Sequence, residues 1–226
     1  MRLLAVDTAT ECCSAALLIE DRLLSREVEL ARGHAERLLP MVDELLGEAG
    51  IGLRALDAIA FGRGPGSFTG VRLAASIAQG LAFGADLGVV AISDLAALAQ
   101  RIFDEGGATR ALVCSDARMQ EVYWGCFERG SDGLALARSP ERVDPPAGVR
   151  LPSDWSEAAG LGRGFAAYPA LATLPGVAVR GGWDRLLPRA VEVIRLAVPE
   201  LIAGRLLAPE AAVPLYLRDD VARPPP

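Results

Sequence analysis

One glycine-rich turn contains the residues whose types and spacing are best suited to chemistry. It spans residues 62–72 and reads GRGPGSFTGVR. Glycines between a strand and a helix let backbone amides approach an anion, and a helix N-terminus favours negative charge. Arg63, Gly64, Gly66 and Ser67 are therefore candidates for a loop close to a nucleotide. Because the lysine of a phosphate-binding loop is missing, the alternative is a tight strand-to-helix turn that Ser67 caps.

A nucleotide site would also require small side chains in two further turns. The first, residues 7–11, reads DTATE, and the second, residues 116–121, reads DARMQE. Neither contains glycine, and side chains of this size would fill the space that phosphates need. We therefore expect no nucleotide cofactor and no ATP hydrolysis by the isolated chain. An ATP-dependent kinase or ATPase remains the alternative enzyme.

The single histidine, His34, limits the other catalytic chemistries. A metal site built on histidine needs a second suitable ligand nearby, and no HxxxH or HExxH motif is present, because Leu38 stands four residues after His34. A cysteine or serine nucleophile could use only this one base. We therefore predict no metal and no catalytic residue, and interpret His34 as a residue at the start of a helix.

The composition narrows the function further. The 226 residues carry a net charge of −6, and 51% of them are hydrophobic, which suits one large domain or two small lobes. An acidic chain does not by itself favour phosphate binding, so any RNA contact is expected to come mainly through a partner. Lysine is absent, which excludes Schiff-base chemistry. The four cysteines form no CxxC pair and are interpreted as reduced, buried thiols of a cytoplasmic protein. No apolar stretch is long enough to span a membrane.

Hydrophobic periodicity predicts the elements that position these residues. Three strands with short polar turns indicate an antiparallel meander, after which helices and strands alternate. Such an order implies a mixed sheet with helices on its faces, similar to the ribonuclease-H-like lobe of actin and the sugar kinases (ASKHA superfamily). The predicted strands are 2–7, 12–19, 23–30, 57–62 and 87–92, and the predicted helices are 34–49, 67–85 and a helix capped by Ser93 that ends near 103.

A second lobe is predicted after residues 105–107, which read EGG. Residues 111–116 and 120–128 repeat the pattern of the first two strands, so we predict an N-terminal lobe at 1–104 and a C-terminal lobe at 105–226. Residues 139–160 are interpreted as loop, and a helix is predicted at 188–203. The proline-rich end at 223–226 is expected to be disordered.

The two long helices of the first lobe are more apolar than one sheet-facing side requires. In the second helix, small residues recur every fourth position, a ridge that lets another helix come close. We therefore predict a partner surface on these helices, with coverage by the second lobe or the neighbouring helix as the alternative. The predicted surface comprises His34, Leu38, Met41, Val42, Leu45, Gly70, Ala74, Ala78 and Ala82.

Five segments together resemble the TsaB (YeaZ-like) family. They are LAVDTAT at 4–10, GHAERLLP at 33–40, FGRGPGSFTGVR at 61–72, DAR followed by EVYW at 116–124, and PLYLR at 214–218. The resemblance covers the first lobe almost continuously and the second lobe in patches. GPGSFTGVR is its most specific part.

The resemblance implies a two-lobed α/β fold of the actin and sugar-kinase class that has lost its active site. It further implies a non-catalytic activating subunit of the complex that forms threonylcarbamoyladenosine on tRNA. The expected partners are a TsaD-like catalytic homologue and a TsaE-like ATPase, with tRNA bound indirectly through the complex. We also expect a homodimer when the chain is alone. The family's likeness to proteins described as glycoproteases makes a peptidase a further alternative, although no residue pattern supports one.

Overall fold

Two mixed sheets form the fold. In the computed structural model, which describes residues 1–218, the first sheet has the strand order β3-β2-β1-β4-β5. The β1–β2 and β2–β3 pairs are antiparallel, whereas β4 pairs in parallel with both β1 and β5. These strands are β1 Arg2–Asp7, β2 Cys12–Ile19, β3 Arg22–Glu29, β4 Ala58–Gly62 and β5 Gly88–Ile92.

The second sheet has the order β11-β10-β6-β7-β8, and β9 also pairs with β7. It repeats the antiparallel pair that opens the first sheet, because β6 and β7 run antiparallel and β6 also ends in an aspartate. Its strands are β6 Arg110–Asp116, β7 Val122–Arg129, β8 Ala135–Ala137, β9 Arg142–Asp144, β10 Ala158–Leu161 and β11 Val177–Ala178.

Five α-helices cover the sheets within residues 1–218. Ser67 and Ser93 cap two of them, since their side chains accept hydrogen bonds from Gly70 N and Ala96 N at 3.1 Å each. These caps confirm the predicted helix starts. The helices are α1 His34–Ala49, α2 Phe68–Ala85, α3 Asp94–Glu105, α4 Arg163–Ala167 and α5 Ala190–Ile202. No helix in this part of the chain is both long and apolar enough to cross a membrane.

The helices and sheets stack in layers. Helices α1 and α2 lie side by side on one face of the first sheet, and α5 covers its other face. Helix α3 packs between α5 and the second sheet, and α4 covers the far side of that sheet. The predicted fold class, mixed α/β sheets flanked by helices, is confirmed.

Two sequence predictions need correction. Residues 139–160 are not all loop, because β9 lies within them and β10 begins there at Ala158 and pairs in parallel with β6. Helix α5 follows residue 104 in sequence but packs on the first sheet, where Val193 and Ala197 are fully buried. The apolar side of α5 packs against the face of the first sheet that α1 and α2 leave open. A boundary at 104/105 therefore places α5 in the second lobe, although α5 packs on the first. The predicted disorder at 223–226 falls outside the described residues.

Candidate functional site

The turn between β1 and β2 is the structural centre of the first lobe. The Thr8 hydroxyl donates to the carbonyl of Gly70 in α2 at 2.7 Å. On the other side of the turn, His34 Nε2 lies 2.9 Å from the Thr10 carbonyl oxygen, which holds the start of α1. One turn of five residues therefore fixes the N-terminal ends of both long helices.

The glycines of the predicted nucleotide loop serve this packing. A Cβ added to Gly66 would lie 2.4 Å from the Ala9 carbonyl oxygen, and one added to Gly70 would lie 2.0 Å from that of Thr8. Ser67 N donates to the same Ala9 carbonyl at 2.7 Å. The close approach that glycine allows is thus to the chain's own backbone, which supports the alternative of a tight, capped turn.

The four residues predicted to form this loop do not face one site. Gly66 and Ser67 line the cleft between the lobes. Arg63 instead lines a separate groove of about 600 Å³ formed by β5 and the C-terminal part of α5. Gly64 is buried, and its N–H donates to a carboxylate oxygen of Asp94. The loop residues are therefore divided between two surfaces and the interior.

A clasp of ion pairs crosses the cleft where the two turns meet. Glu11, in the first turn, lies 3.2 Å from Arg163 and 3.8 Å from Arg118. Arg118 also pairs with Asp116 at 2.9 Å, and Arg163 pairs with Glu29. The carboxylate of Glu11 therefore occupies the position between the turns, and both arginines come from the second lobe. The sequence indicated that the side chains in these turns are large, but it did not indicate this ion-pair contact.

The second turn has an unusual backbone. Arg118, Met119 and Gln120 are consecutive non-glycine residues with φ of 58°, 53° and 62°. Each such residue in the left-handed region costs about 1 kcal/mol. Asp116 stabilises the turn by accepting from Arg118 N at 2.8 Å, and Arg218 donates to the Ala117 carbonyl at 3.1 Å. Nothing in the sequence apart from the length of the turn indicates this conformation.

A buried pair of carboxyl groups lies beneath the first turn. Asp7 is fully buried and Asp94 is 2% exposed. Burial raises the pKa of Asp7 to about 6. Burial, and then the charge of Asp7, raise the pKa of Asp94 well above its usual range. Asp7 Oδ1 accepts from Ala9 N at 2.8 Å and Asp94 Oδ2 accepts from Gly64 N, so each carboxyl group holds backbone through one of its oxygens. The other two oxygens, Asp7 Oδ2 and Asp94 Oδ1, are buried and have no hydrogen-bond partner in residues 1–218. Asp94 was not recognised in the sequence as a partner of Asp7.

Residues 1–218 contain neither a cluster of side chains that could bind a metal ion nor a reactive cysteine. No three His, Cys, Asp or Glu side chains in this part of the chain are grouped so that they could hold a metal ion. All four cysteines are buried. Burial raises the pKa of Cys12 to about 12 and that of Cys114 well above its usual range. A thiolate nucleophile is therefore disfavoured at neutral pH.

Most of the predicted partner-surface residues lie in the core. Four residues of α1 and three of α2 are buried facing the first sheet, Gly70 is buried against the first turn, and His34 alone is partly exposed. Their side chains cannot meet a partner, because the sheet already covers them. What covers this set is therefore the first sheet, and neither the predicted partner nor the second lobe. The buried residues are Leu38, Met41, Val42, Leu45, Gly70, Ala74, Ala78 and Ala82.

The outer faces of the same helices carry a different surface, which we call the outer helix face. It is defined by Leu39 of α1 and by Ser76, Gly80, Phe83 and Gly84 of α2. Phe83 is 81% exposed and Leu39 is 45% exposed. A Cβ added to either glycine would meet no atom within 4 Å. A second ridge of small residues thus runs along α2, opposite the one predicted.

Comparisons with known proteins agree with the fold. A family model described as TsaD, tRNA N6-adenosine threonylcarbamoyltransferase, matches residues 28–153, somewhat more than half of the chain. A relative from Escherichia coli K12, named tRNA threonylcarbamoyladenosine biosynthesis protein TsaB, is 43% identical over 98% of this chain and 96% of its own. A Haemophilus influenzae relative of the same name is 40% identical over 98% and 95%. The solved structure of YeaZ from Pseudomonas aeruginosa is 47% identical, with a TM-score of 0.89 over 96% of this chain and 99% of that one.

Proposed function

The chain belongs to the TsaB family, and from this premise we propose that it is a non-catalytic partner subunit in tRNA threonylcarbamoyladenosine biosynthesis. In this proposal it acts in the cytoplasm and activates a TsaD-like catalytic homologue. A TsaE-like ATPase joins them, and tRNA is bound mainly through the complex. When the chain is alone, two copies pair through the same surface.

The state of the cleft supports a role without catalysis. The position between the two turns is filled by Glu11 and its two arginine partners. Asp7, the carboxylate at the end of β1, is fully buried and bonded within its own turn. The carboxylate of Glu11 is therefore engaged in internal contacts, and that of Asp7 is shielded from a substrate by burial. The kinase or ATPase alternative would need this space to open, and the peptidase alternative would need a base other than His34, which already contacts Thr10.

The outer helix face is the observation that carries the proposal. Glycine at an exposed helix position costs about 1 kcal/mol relative to alanine. Gly80 and Gly84 both occupy such positions, where they make no close contact in the monomer. Beside them Phe83 exposes a large apolar ring. Small residues let a second helix approach closely, and an exposed aromatic residue supplies a contact of large area.

A partner of the same fold would suit this surface. Its own pair of helices could lie against α1 and α2 to form a helix bundle, and a second copy of this chain could do the same through a two-fold axis. One self-complementary surface therefore explains both an activating heterodimer and a homodimer of the free chain. The outer helix face therefore replaces the ridge that includes Ala74 and Ala78, which is buried, as the expected contact surface.

Gly80→Arg tests the proposal. At protein concentrations low enough for the wild type to be monomeric, the isolated variant should melt at or slightly above the wild-type temperature, because arginine gains about 1 kcal/mol of helix propensity over glycine and its side chain enters open space. A long cation between packed helices costs several kcal/mol, which weakens binding about a hundredfold or more. The variant should therefore lose co-elution with the TsaD-like homologue and lose tRNA modification in a reconstituted assay.

Ser153→Arg is the matched control, since it adds the same charge at an exposed loop of the second lobe. This control should melt, bind and activate like the wild type. If Gly80→Arg melts normally and still binds and activates, the partner surface lies elsewhere.

A further inference from the structure

The cleft between the lobes has a volume and lining that the partner role does not use. It encloses about 1120 Å³ and lies between the first turn, the N-terminal end of α2 and the second lobe. Five arginines line it, although the whole chain has a net charge of −6. The lining arginines are Arg72, Arg118, Arg163, Arg185 and Arg218. Positive charge is thus concentrated at the cleft of an acidic protein.

Ion pairs divide these arginines into two groups. Within residues 1–218, Glu11 and Asp116 are the carboxylates that line the cleft. Arg118 pairs with both of them, and Arg163 also pairs with Glu11. Arg218 pairs with Glu121. Arg72 and Arg185 are exposed, and neither is within 4 Å of a carboxylate oxygen in the described residues. These two cations, unpaired among residues 1–218, lie on opposite lips, since Arg72 belongs to α2 and Arg185 to the second lobe.

Aromatic rings flank the cation on the first lip. The Arg72 guanidinium lies 3.3 Å from the centroid of the Phe68 ring and 5.2 Å from that of Tyr216. Both rings are open to solvent, with Phe68 59% and Tyr216 48% exposed. Stacking uses the face of the guanidinium and leaves its N–H edge free for an anion. Rings that are exposed beside a free arginine are the usual means by which proteins hold single-stranded nucleic acid.

We propose that the two lips of the cleft bind a single-stranded segment of the substrate tRNA. Arg72 and Arg185 contact backbone phosphates, and a base stacks on Phe68 or Tyr216. This inference rests on the proposed function, because an acidic chain alone binds RNA weakly and the partner supplies most of the contact. The lips add a minor share that helps to hold the RNA across the complex.

The position of the free charges favours RNA over a small nucleotide. A nucleotide held deep in the cleft would place its phosphates between the turns, where Glu11 already lies against Arg118 and Arg163. The cations that remain free are at the solvent-exposed rim instead. A polyanion that passes across the rim can reach both of them without displacing Glu11.

Salt-dependent tRNA binding by the assembled complex tests this inference. Arg72→Gln and Arg185→Gln should each reduce the slope of log affinity against log salt by about 0.7, and lower tRNA affinity about fivefold near 0.1 M salt. Phe68→Ala should weaken binding about tenfold and leave the slope nearly unchanged, because it removes stacking rather than an ion contact. Arg54→Gln is the control: it removes the same charge from an exposed residue in the turn before β4, which does not line the cleft, and it should change neither quantity.

Each variant is first tested for co-elution with the TsaD-like homologue. A wild type that fails to co-elute refutes the proposed function, and the RNA site falls with it. If the complexes form but Arg72→Gln and Arg185→Gln leave affinity and slope unchanged, the RNA site is refuted while the partner role stands. Loss of co-elution in these two variants would assign the lips to the protein interface instead. Calorimetric binding of 5′-AMP to the isolated chain, abolished by the same substitutions, would assign the lips to a small nucleotide and also overturn the proposal.

Discussion

Replacing Asp7 by asparagine should stabilise the protein above pH 6 and leave its stability nearly unchanged near pH 4. Asp7 and Asp94 are both buried, and burial raises the pKa of Asp7 from 3.8 to about 6. Asparagine keeps the shape of the side chain, and its oxygen can still accept from Ala9 N. Its amide can donate toward Asp94, which is hydrogen-bonded to Asp7 in the wild type. The substitution therefore removes one of two buried acids without breaking their contacts.

The direction follows from proton binding. Between pH 3.8 and about 6 the folded protein holds a proton on Asp7 that the unfolded chain has released. Stability of the wild type therefore falls as pH rises through this interval, and this contribution stays lost at higher pH. At about 1.4 kcal/mol per pH unit, the interval corresponds to at most about 3 kcal/mol. The asparagine variant escapes this loss, so it should melt roughly 5 to 10 °C higher than wild type above pH 6.

Thermal unfolding from about pH 4 to pH 8 measures the effect. The quantity to compare is the difference between variant and wild type, because groups that titrate alike in both proteins cancel. Asp116→Asn is the matched control at the equivalent strand end of the second lobe, where the carboxylate pairs with Arg118 at 2.9 Å. It should be neutral or slightly destabilising, without the gain at high pH. An Asp7→Asn variant that loses more stability at pH 8 than at pH 4 would refute the reasoning.

Three shorter predictions address the core. Ala78→Arg should leave the chain unfolded in circular dichroism, since Ala78 is fully buried and an unpaired buried charge costs about 3 to 5 kcal/mol. Gly70→Ala should lower the free energy of unfolding in urea by about 3 kcal/mol, because its Cβ would lie 2.0 Å from the Thr8 carbonyl oxygen; an unchanged midpoint would contradict this close contact. Cys114 should resist iodoacetamide in the native protein and react after unfolding, because burial raises the pKa of its thiol; rapid native labelling would show that its strand opens.

Local pattern was sufficient for most of the secondary structure. The predicted limits of β1, β2 and α1 agree with the structure, because alternating or helical apolar spacing is set within each segment. The second sheet was predicted less completely. Its strands β9 and β10 are only three and four residues long, and they are held by pairing with β7 and β6. Their stability comes from distant neighbours, which a local pattern does not contain.

The exposed side of α2 was assigned wrongly, although the sequence contained a signal for it. Small residues recur every fourth position on two opposite sides of this helix, so the ridge alone could not decide which side faces the sheet. The polar residues that interrupt the apolar pattern, Arg72 and Ser76, lie on the exposed side together with Gly80. Polar residues that share one side of a helix indicate that this side faces solvent. The alanines on the opposite side pack closely against the strands.

Contacts between distant residues were beyond what the sequence could indicate. Asp94 follows Asp7 by almost ninety positions, and Glu11 meets Arg163 across the two lobes. Because Glu11 and its arginine partners fill the space between the first and second turns, the fold has both turns but no open site between them. Glu11 pairs with arginines of the second lobe, and Asp7 and Asp94 are buried and bonded to backbone. The groups that we propose to meet other molecules are instead exposed ones, on the outer helix face and on the lips of the cleft. If both surfaces act as proposed, a single α2 helix connects them, with Arg72 near its start and Phe83 near its end. Binding a partner along that helix would then also place the RNA-binding lip in a fixed position relative to the catalytic subunit.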